Sequence, residues 1–305
     1  MRKCRWAEKF ISMRPLDLPE PWVSEPDPGQ KECVWLEFSD SCQTRTRMNL
    51  PIAVELASLR QPFKMSLETA AKLGARGVEI DARNELRPQD LTQTGLRQIR
   101  KWLEDLNLKV SAVNFPTRRG YDVQDDLEAR IAGTKAAFRL ARNLGCGTVV
   151  NAIGKVPSQE SSSWGLLMEV LTDLGNAGHH VGAFLAARTG SDSGADLARL
   201  ISALPEGTLG VDFDPGNLIM GGFSASEALA VLGPHVLHVH AHDAVRDLAI
   251  GRGIETQVGR GSADFPAVFG LLEEYHYRGW VTITRRGSES PVREMADAIS
   301  FLRAL

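Results

Sequence analysis

Several things are scarce in this chain. No apolar run approaches the ~18 residues that a membrane-spanning helix needs, so no membrane span is expected. There is no basic excess: 35 Lys+Arg stand against 38 Asp+Glu, for a net charge of −3, and no basic block occurs, which argues against nucleic acid as a partner. The four cysteines, Cys4, Cys33, Cys42 and Cys146, show no CxxC spacing. They read as free thiols of a cytoplasmic protein, with a pairing among the N-terminal three left open. No glycine-rich dinucleotide fingerprint links a strand to a helix, and no Ser/His/Asp hydrolase elbow occurs. The segment MRKCRWAEKFISMRP carries positive charge but lacks a continuous apolar core and a small-residue cleavage site, so a signal peptide is not expected.

What is present is an ordinary globular composition, 43% hydrophobic and 24% charged over 305 residues. Residues 1–50 differ from the rest. They hold Trp6, Trp22 and Trp35 and a cluster of prolines, with no sustained period, and read as an irregular extension. A natural start at Met48 is the alternative. From residue 51 strand and helix patterns alternate. Strands are predicted at 52–60, 77–82, 108–115, 147–154, 180–187, 208–213, 235–241 and 279–284. Helices are predicted at 65–77, 91–107, 126–145, 164–178, 194–204, 224–232, 263–277 and 291–305, with Ser66 and Asp264 as caps. Strict alternation implies a parallel sheet, and eight units match a (β/α)8 barrel; a doubly wound open sheet is the alternative. In a barrel, function belongs at the C-terminal strand ends.

The richest stretch is GVDFDPGNLIMGGFSASEALAVLGPHVLHVHAHD, residues 210–243. Two apolar runs end in polar residues, Asp214 and Asn217 after the first, His238, His240, His242 and Asp243 in and after the second. On neighbouring parallel strands Asp214 and His240 would lie side by side, and carboxylate with imidazole suits a divalent metal. Against this, Asp214–Asn217 also reads as a turn, and His238 as a buried, hydrogen-bonded histidine.

The segments GVEIDAR, FPTRRGYD, LARNLGCGTVVNAIG, LAARTGSDSG, GVDFDPGNLIMGGF, HVLHVHAHDAVRD, VGRGSADFP and YRGWVTITRR together resemble the xylose-isomerase-like barrel superfamily, closest to the sugar phosphate isomerase/epimerase proteins. The resemblance covers residues 51–305. It implies a metal site (Mn, Mg, Co or Zn) of a Glu after strand 5, an Asp after strand 6, a His after strand 7 and a Glu after strand 8, with the glutamates also moving protons. Position by position, Asp214 and His240 match the Asp and the His. Asn217 and Arg246 match substrate positions. Arg188 stands where LA-x-ETG has Glu, and Thr284 where TIERR has Glu. The site loses two negative charges and gains a positive one, which opposes a bound cation. Arg188 is then expected to pair with Asp214 in the metal's place, and Arg188, Arg246, Arg118 and Arg119 to favour an anionic ligand.

The function implied is therefore a sugar or sugar-phosphate isomerase/epimerase-like protein with a partly degraded metal site. The alternative is a catalytically degenerate barrel that binds an anionic sugar-type ligand or a protein partner without metal. The resemblance also implies homo-oligomers. Of the remaining residues, Gly259–Ser262 offers backbone N–H groups for a phosphate or shapes its loop. Glu79 and Asp81 share a strand face and read as barrel-layer residues or Arg partners. Asp247, Arg252 and Glu255 read as a solvated loop.

Overall fold

The computed structural model describes residues 50–247 and 253–305. The expected N-terminal extension and Arg252 lie outside the described residues. The strands are β1 (Ile52–Glu55), β2 (Gly77–Asp81), β3 (Lys109–Asn114), β4 (Thr148–Asn151), β5 (Phe184–Arg188), β6 (Gly210–Phe213), β7 (Val236–Ala241), β8 (Asp243–Val245), β9 (Ile254–Thr256) and β10 (Val281–Ile283). The helices are α1 (Leu56–Leu59), α2 (Phe63–Lys72), α3 (Gln93–Asp105), α4 (Leu127–Asn143), α5 (Ser162–Val181), α6 (Gly194–Ala203), α7 (Pro215–Gly221), α8 (Ala225–Leu232), α9 (Phe265–Glu274) and α10 (Pro291–Ala304).

Eight strands close a parallel barrel in the order β1-β10-β7-β6-β5-β4-β3-β2. Because β1 pairs with both β2 and β10, the open-sheet alternative is excluded. The strands are buried on both faces, as a helix-covered parallel sheet requires. Outward-facing side chains such as Val54, Val78, Ile80 and Leu185 join the main apolar core with the helices. Of the helically spaced leucines and isoleucine at 96, 99, 103 and 106, Leu96, Ile99 and Leu103 are buried in α3, and Leu106, half-buried, ends it.

The differences from the sequence expectation are local. The run 52–60 is a strand only to Glu55; Leu56–Leu59 turns into α1, which ends at Arg60 in the left-handed region with φ 53°. Strand β5 begins at Phe184 because α5 continues to Val181 and stops at Gly182, φ 76°. Ser66 lies inside α2, buried, with its hydroxyl donating to the Gln61 carbonyl at 3.1 Å, while Pro62 takes the cap position. Asp264 caps α9 as expected, accepting from Ala267 N. A hairpin, β8 with β9, stands at the barrel mouth unpredicted.

Register places the site. Arg188 is level with Asp212, Asp212 with His238, His240 with Thr282, Thr282 with Ala53, and Glu55 with Glu79. Since alternate residues share a face, these pairings put Glu79, Arg188, Asp212, His238, His240 and Thr282 on the inner face of the barrel.

Candidate functional site at the barrel mouth

Two networks occupy the C-terminal half of the barrel. The inner one is centred on Asp212, which is fully buried. Its Oδ1 lies 2.8 Å from Nδ1 of both His238 and His240, and its Oδ2 accepts from Arg188 Nε at 2.8 Å. Arg188 Nη2 is 3.2 Å from His240 Nε2 and 3.6 Å from Glu79 Oε1, and His240 Nε2 is 2.8 Å from Glu79 Oε2. His238 Nε2 meets Thr282 Oγ1 at 2.8 Å, so this histidine is buried and hydrogen-bonded as read from the sequence. Burial works against the charges of Asp212, His240 and Arg188, but the opposite charges win. Asp212 is held well below the ordinary carboxylate range by His240 and Arg188. The carboxylates of Asp212 and Glu79 lift His240 to about 10 and raise Arg188 further above its ordinary value.

The outer network begins one inward-facing residue further along β6. Asp214 caps α7: its Oδ1 accepts from Asn217 N at 2.8 Å, and the same oxygen lies 2.8 Å from His242 Nδ1. The sequence D-P-G-N is therefore a helix start, with Pro215 at the first helical position. Gly216 is needed because a Cβ there would lie 2.7 Å from the His242 ring. Burial lowers the affinity of His242 for a proton, yet Asp214 and Glu255 raise it to about 9. Glu255 is not a solvated loop residue. It accepts from Arg286 N at 2.9 Å, Gly287 N at 2.6 Å and Arg285 Nη1 at 2.7 Å. His242 and these partners overcome its burial and hold it to about 2.

The expected strand-8 carboxylate is replaced in a way that sequence reading missed. Thr284 Oγ1 donates to Glu55 Oε2 at 2.6 Å, Ser58 Oγ donates to the same oxygen at 2.5 Å, and Arg286 Nη2 meets Oε1 at 2.5 Å. Glu55 is buried, and burial would raise it, but Arg286, Ser58 and Thr284 hold it to about 2. The available signal was a lone Glu ending an apolar strand run.

Several expectations about partners are corrected. Asp214 and His240 do not form a hydrogen-bonded pair: Asp212 Oδ1 takes Nδ1 of both His238 and His240, and Asp214 Oδ1 takes Nδ1 of His242. Arg188 ion-pairs with Asp212, not Asp214. Glu79 is an Arg partner, as read, and Asp81 closes a turn by accepting from Arg83 N and Asn84 N. The Gly259–Ser262 loop has no N–H left for phosphate. Asp243 accepts from Gly259 N, Gly261 N and Ala263 N, while Arg260 N and Ser262 N bond to Gln257 O and Ala244 O. Arg118 and Arg119 are exposed, and Arg119 pairs with Asp125 at 2.5 Å. Exposed Arg246 donates to the Gly222 carbonyl.

A cleft of about 340 Å³ opens beside Arg188 and is lined also by Thr189, Gly190, Ser191, Asn217 and Met220. It joins two of the residues that sequence reading assigned to substrate, Arg188 and Asn217. The four positions that the resemblance assigns to a metal present a guanidinium, a carboxylate committed to a helix cap and His242, an imidazole 3.2 Å from that guanidinium, and a hydroxyl bound to Glu55. They do not fit a divalent ion. Among the described residues a different triple, Glu79, His238 and His240, has donor atoms within 4.8 Å of one another and could hold one.

Comparison with known proteins agrees with the barrel. An inosose dehydratase of Clostridium botulinum (strain Alaska E43 / Type E3) is 23% identical over 236 residues, 70% of this chain and 69% of that protein. The crystal structure of a xylose isomerase domain protein from Planctomyces limnophilus superposes with a TM-score of 0.74 at 25% identity, covering 84% of this chain and 95% of that one. The IolI protein, solved with a bound zinc atom, gives a TM-score of 0.70 at 18% identity, covering 84% and 97%. The family described as xylose isomerase-like TIM barrel matches residues 67–305, most of the described barrel, and the chain belongs to that family.

Proposed function

We propose that this chain binds and converts a small polyhydroxy carbonyl compound, of the inosose or ketose kind, in the mouth cleft, with Arg188 holding its carbonyl or carboxylate oxygen. The observation that carries this reading is the cleft itself: Arg188 is the charged member of its lining and Asn217 lines it too. A guanidinium fork suits an oxygen that gains negative charge. Isomerisation, epimerisation and dehydration of such compounds all begin by removing a proton beside a carbonyl, and a fixed cation at the oxygen lowers that barrier. His242, which Asp214 and Glu255 keep protonated near neutral pH, is the group assigned to proton donation. It is oriented by the Asp214 oxygen that also anchors Asn217, so cleft and imidazole share one support. The family and the inosose dehydratase relative favour this substrate class. A phosphate end on the ligand has no support from the Gly259–Ser262 loop, whose N–H groups are consumed.

The test is solvent exchange. Inososes, ketoses and ketose phosphates are incubated with the protein in D2O, with and without chelator, and deuterium entry beside the carbonyl is followed by NMR. Exchange that survives chelator and disappears in Arg188→Ala supports the proposal. Saturable binding without exchange would favour the alternative, a barrel that holds a sugar-type ligand without converting it. Neither binding nor exchange across the panel would sink both.

A further inference from the structure

The inner network contains a carboxylate with cationic neighbours but no hydrogen bond. Glu79 is fully buried, and neither of its carboxylate oxygens has a hydrogen bond. Two imidazole nitrogens face it, His240 Nε2 at 2.8 Å and His238 Nε2 at 3.9 Å from Oε2. Each of these rings has its other nitrogen, Nδ1, 2.8 Å from the same oxygen of Asp212. A carboxylate that binds the far nitrogen of an imidazole fixes the ring and leaves Nε2 as the donor, which is how metal-ligating histidines are supported. One carboxylate and two imidazoles form a donor set suited to a zinc-type ion. Neither Glu79 nor His238 occupies one of the four positions that the family resemblance assigns to metal.

The Arg188 guanidinium stands among the same donors, with Nη2 3.2 Å from His240 Nε2 and 3.6 Å from Glu79 Oε1, and its Nε is tied to Asp212. A guanidinium keeps its charge at any pH a protein survives. A divalent ion between these donors would meet that charge near contact distance in a buried site, where repulsion is weakly screened.

We propose that Arg188 is a tethered cation filling a three-donor metal site made by Glu79, His238 and His240, with Asp212 behind both histidines. The side chain takes the place of the ion, so the native chain does not bind one tightly there. Removing the guanidinium opens the site. This holds whichever carbohydrate the cleft accepts, so its outcome is independent of the exchange experiment above.

The experiment is elemental analysis together with Co2+ titration followed by visible absorption, on the full chain and on variants confirmed as folded by circular dichroism. The native chain is expected to carry no stoichiometric metal and to give no four-coordinate Co2+ spectrum. Arg188→Ala is expected to take up one Co2+ with that spectrum. Arg188→Gln, which keeps hydrogen-bond donors, serves if the alanine variant does not fold. Adding His238→Ala abolishes uptake, Asp214→Asn leaves it unchanged, and Asp212→Asn weakens it about 10–100-fold. Ethylguanidinium, a soluble copy of the missing side chain, competes with Co2+ in Arg188→Ala. Tight stoichiometric metal in the native chain would overturn the proposal. So would a folded Arg188 variant that takes up no ion, or uptake that survives loss of His238 and disappears with Asp214→Asn.

Discussion

Asp212 and Asp214 lie two residues apart along β6 and its C-terminal end, yet they belong to different networks. Asp212 is shared by Arg188, His238 and His240 in the barrel interior, with Arg188 also reaching the cleft. Asp214 caps a helix and holds His242 at the mouth. The separation follows from strand geometry. Two residues on the same face are roughly 6.6 Å apart along the strand, beyond the reach of one hydrogen bond. Asp212 nevertheless reaches both His238 and His240, themselves two residues apart on β7, while Asp214 reaches His242. The inner layer balances its charges within itself, while the mouth layer runs through Glu255 to Arg285 and Arg286, and Arg286 reaches Glu55 near the solvent.

The largest effect should come from breaking the inner layer. Asp212→Ala leaves Arg188 and His240 buried without their shared partner. It is expected to cost about 3–5 kcal/mol in urea unfolding, the range for removing one member of a buried ion pair. Next comes the mouth, through acid. Glu55 is held to about 2, below its ordinary 4.5. Its interactions therefore add their full stability above pH 4.5 and lose it as pH falls toward 2. The loss should amount to about 3 kcal/mol. Glu255 is lowered to the same region, so the difference between native and Glu55→Gln stability curves over that window isolates Glu55. If the two curves run parallel there, the buried Glu55 network is misassigned. The smallest effect belongs to the rim. Arg119 pairs with Asp125 in solvent, both side chains more than half exposed, and Arg119→Ala should change stability by no more than about 0.5 kcal/mol. A larger change would mean that the rim is as coupled as the layers beneath it.

Much of the barrel was legible in the sequence, since each strand carries an apolar outward face and each helix an apolar stripe, and those periods survive folding. The miss at residues 52–60 has a physical cause: Leu56 and Leu59 are buried in a one-turn helix as completely as they would be in a strand, and periodicity over four residues does not separate the two. The site was half legible. Arg188 and Asn217 were singled out, and the cleft joins them. Glu55 and Asp212 were passed over because each is one acidic residue in an apolar run, with its partners, Ser58 apart, 24 to 231 positions away along the chain. The Gly259–Ser262 loop looked open to a phosphate because nothing in its own residues reveals that Asp243 has taken its N–H groups.

By itself the sequence determined the alternation that builds the barrel, the end of the barrel where chemistry collects, and the departure of Arg188 and Thr284 from an acidic pattern. These follow from local period, handed connections and side-chain type. Only the tertiary structure decided which carboxylate meets which cation. A register shift between Val211 and Asp212 sets Asp212 level with His238, and the side chains then divide so that Asp212 takes both His238 and His240 while Asp214 takes His242. Register between strands is settled by packing around the closed barrel, and in a buried interior a shift of one position changes every charge pair.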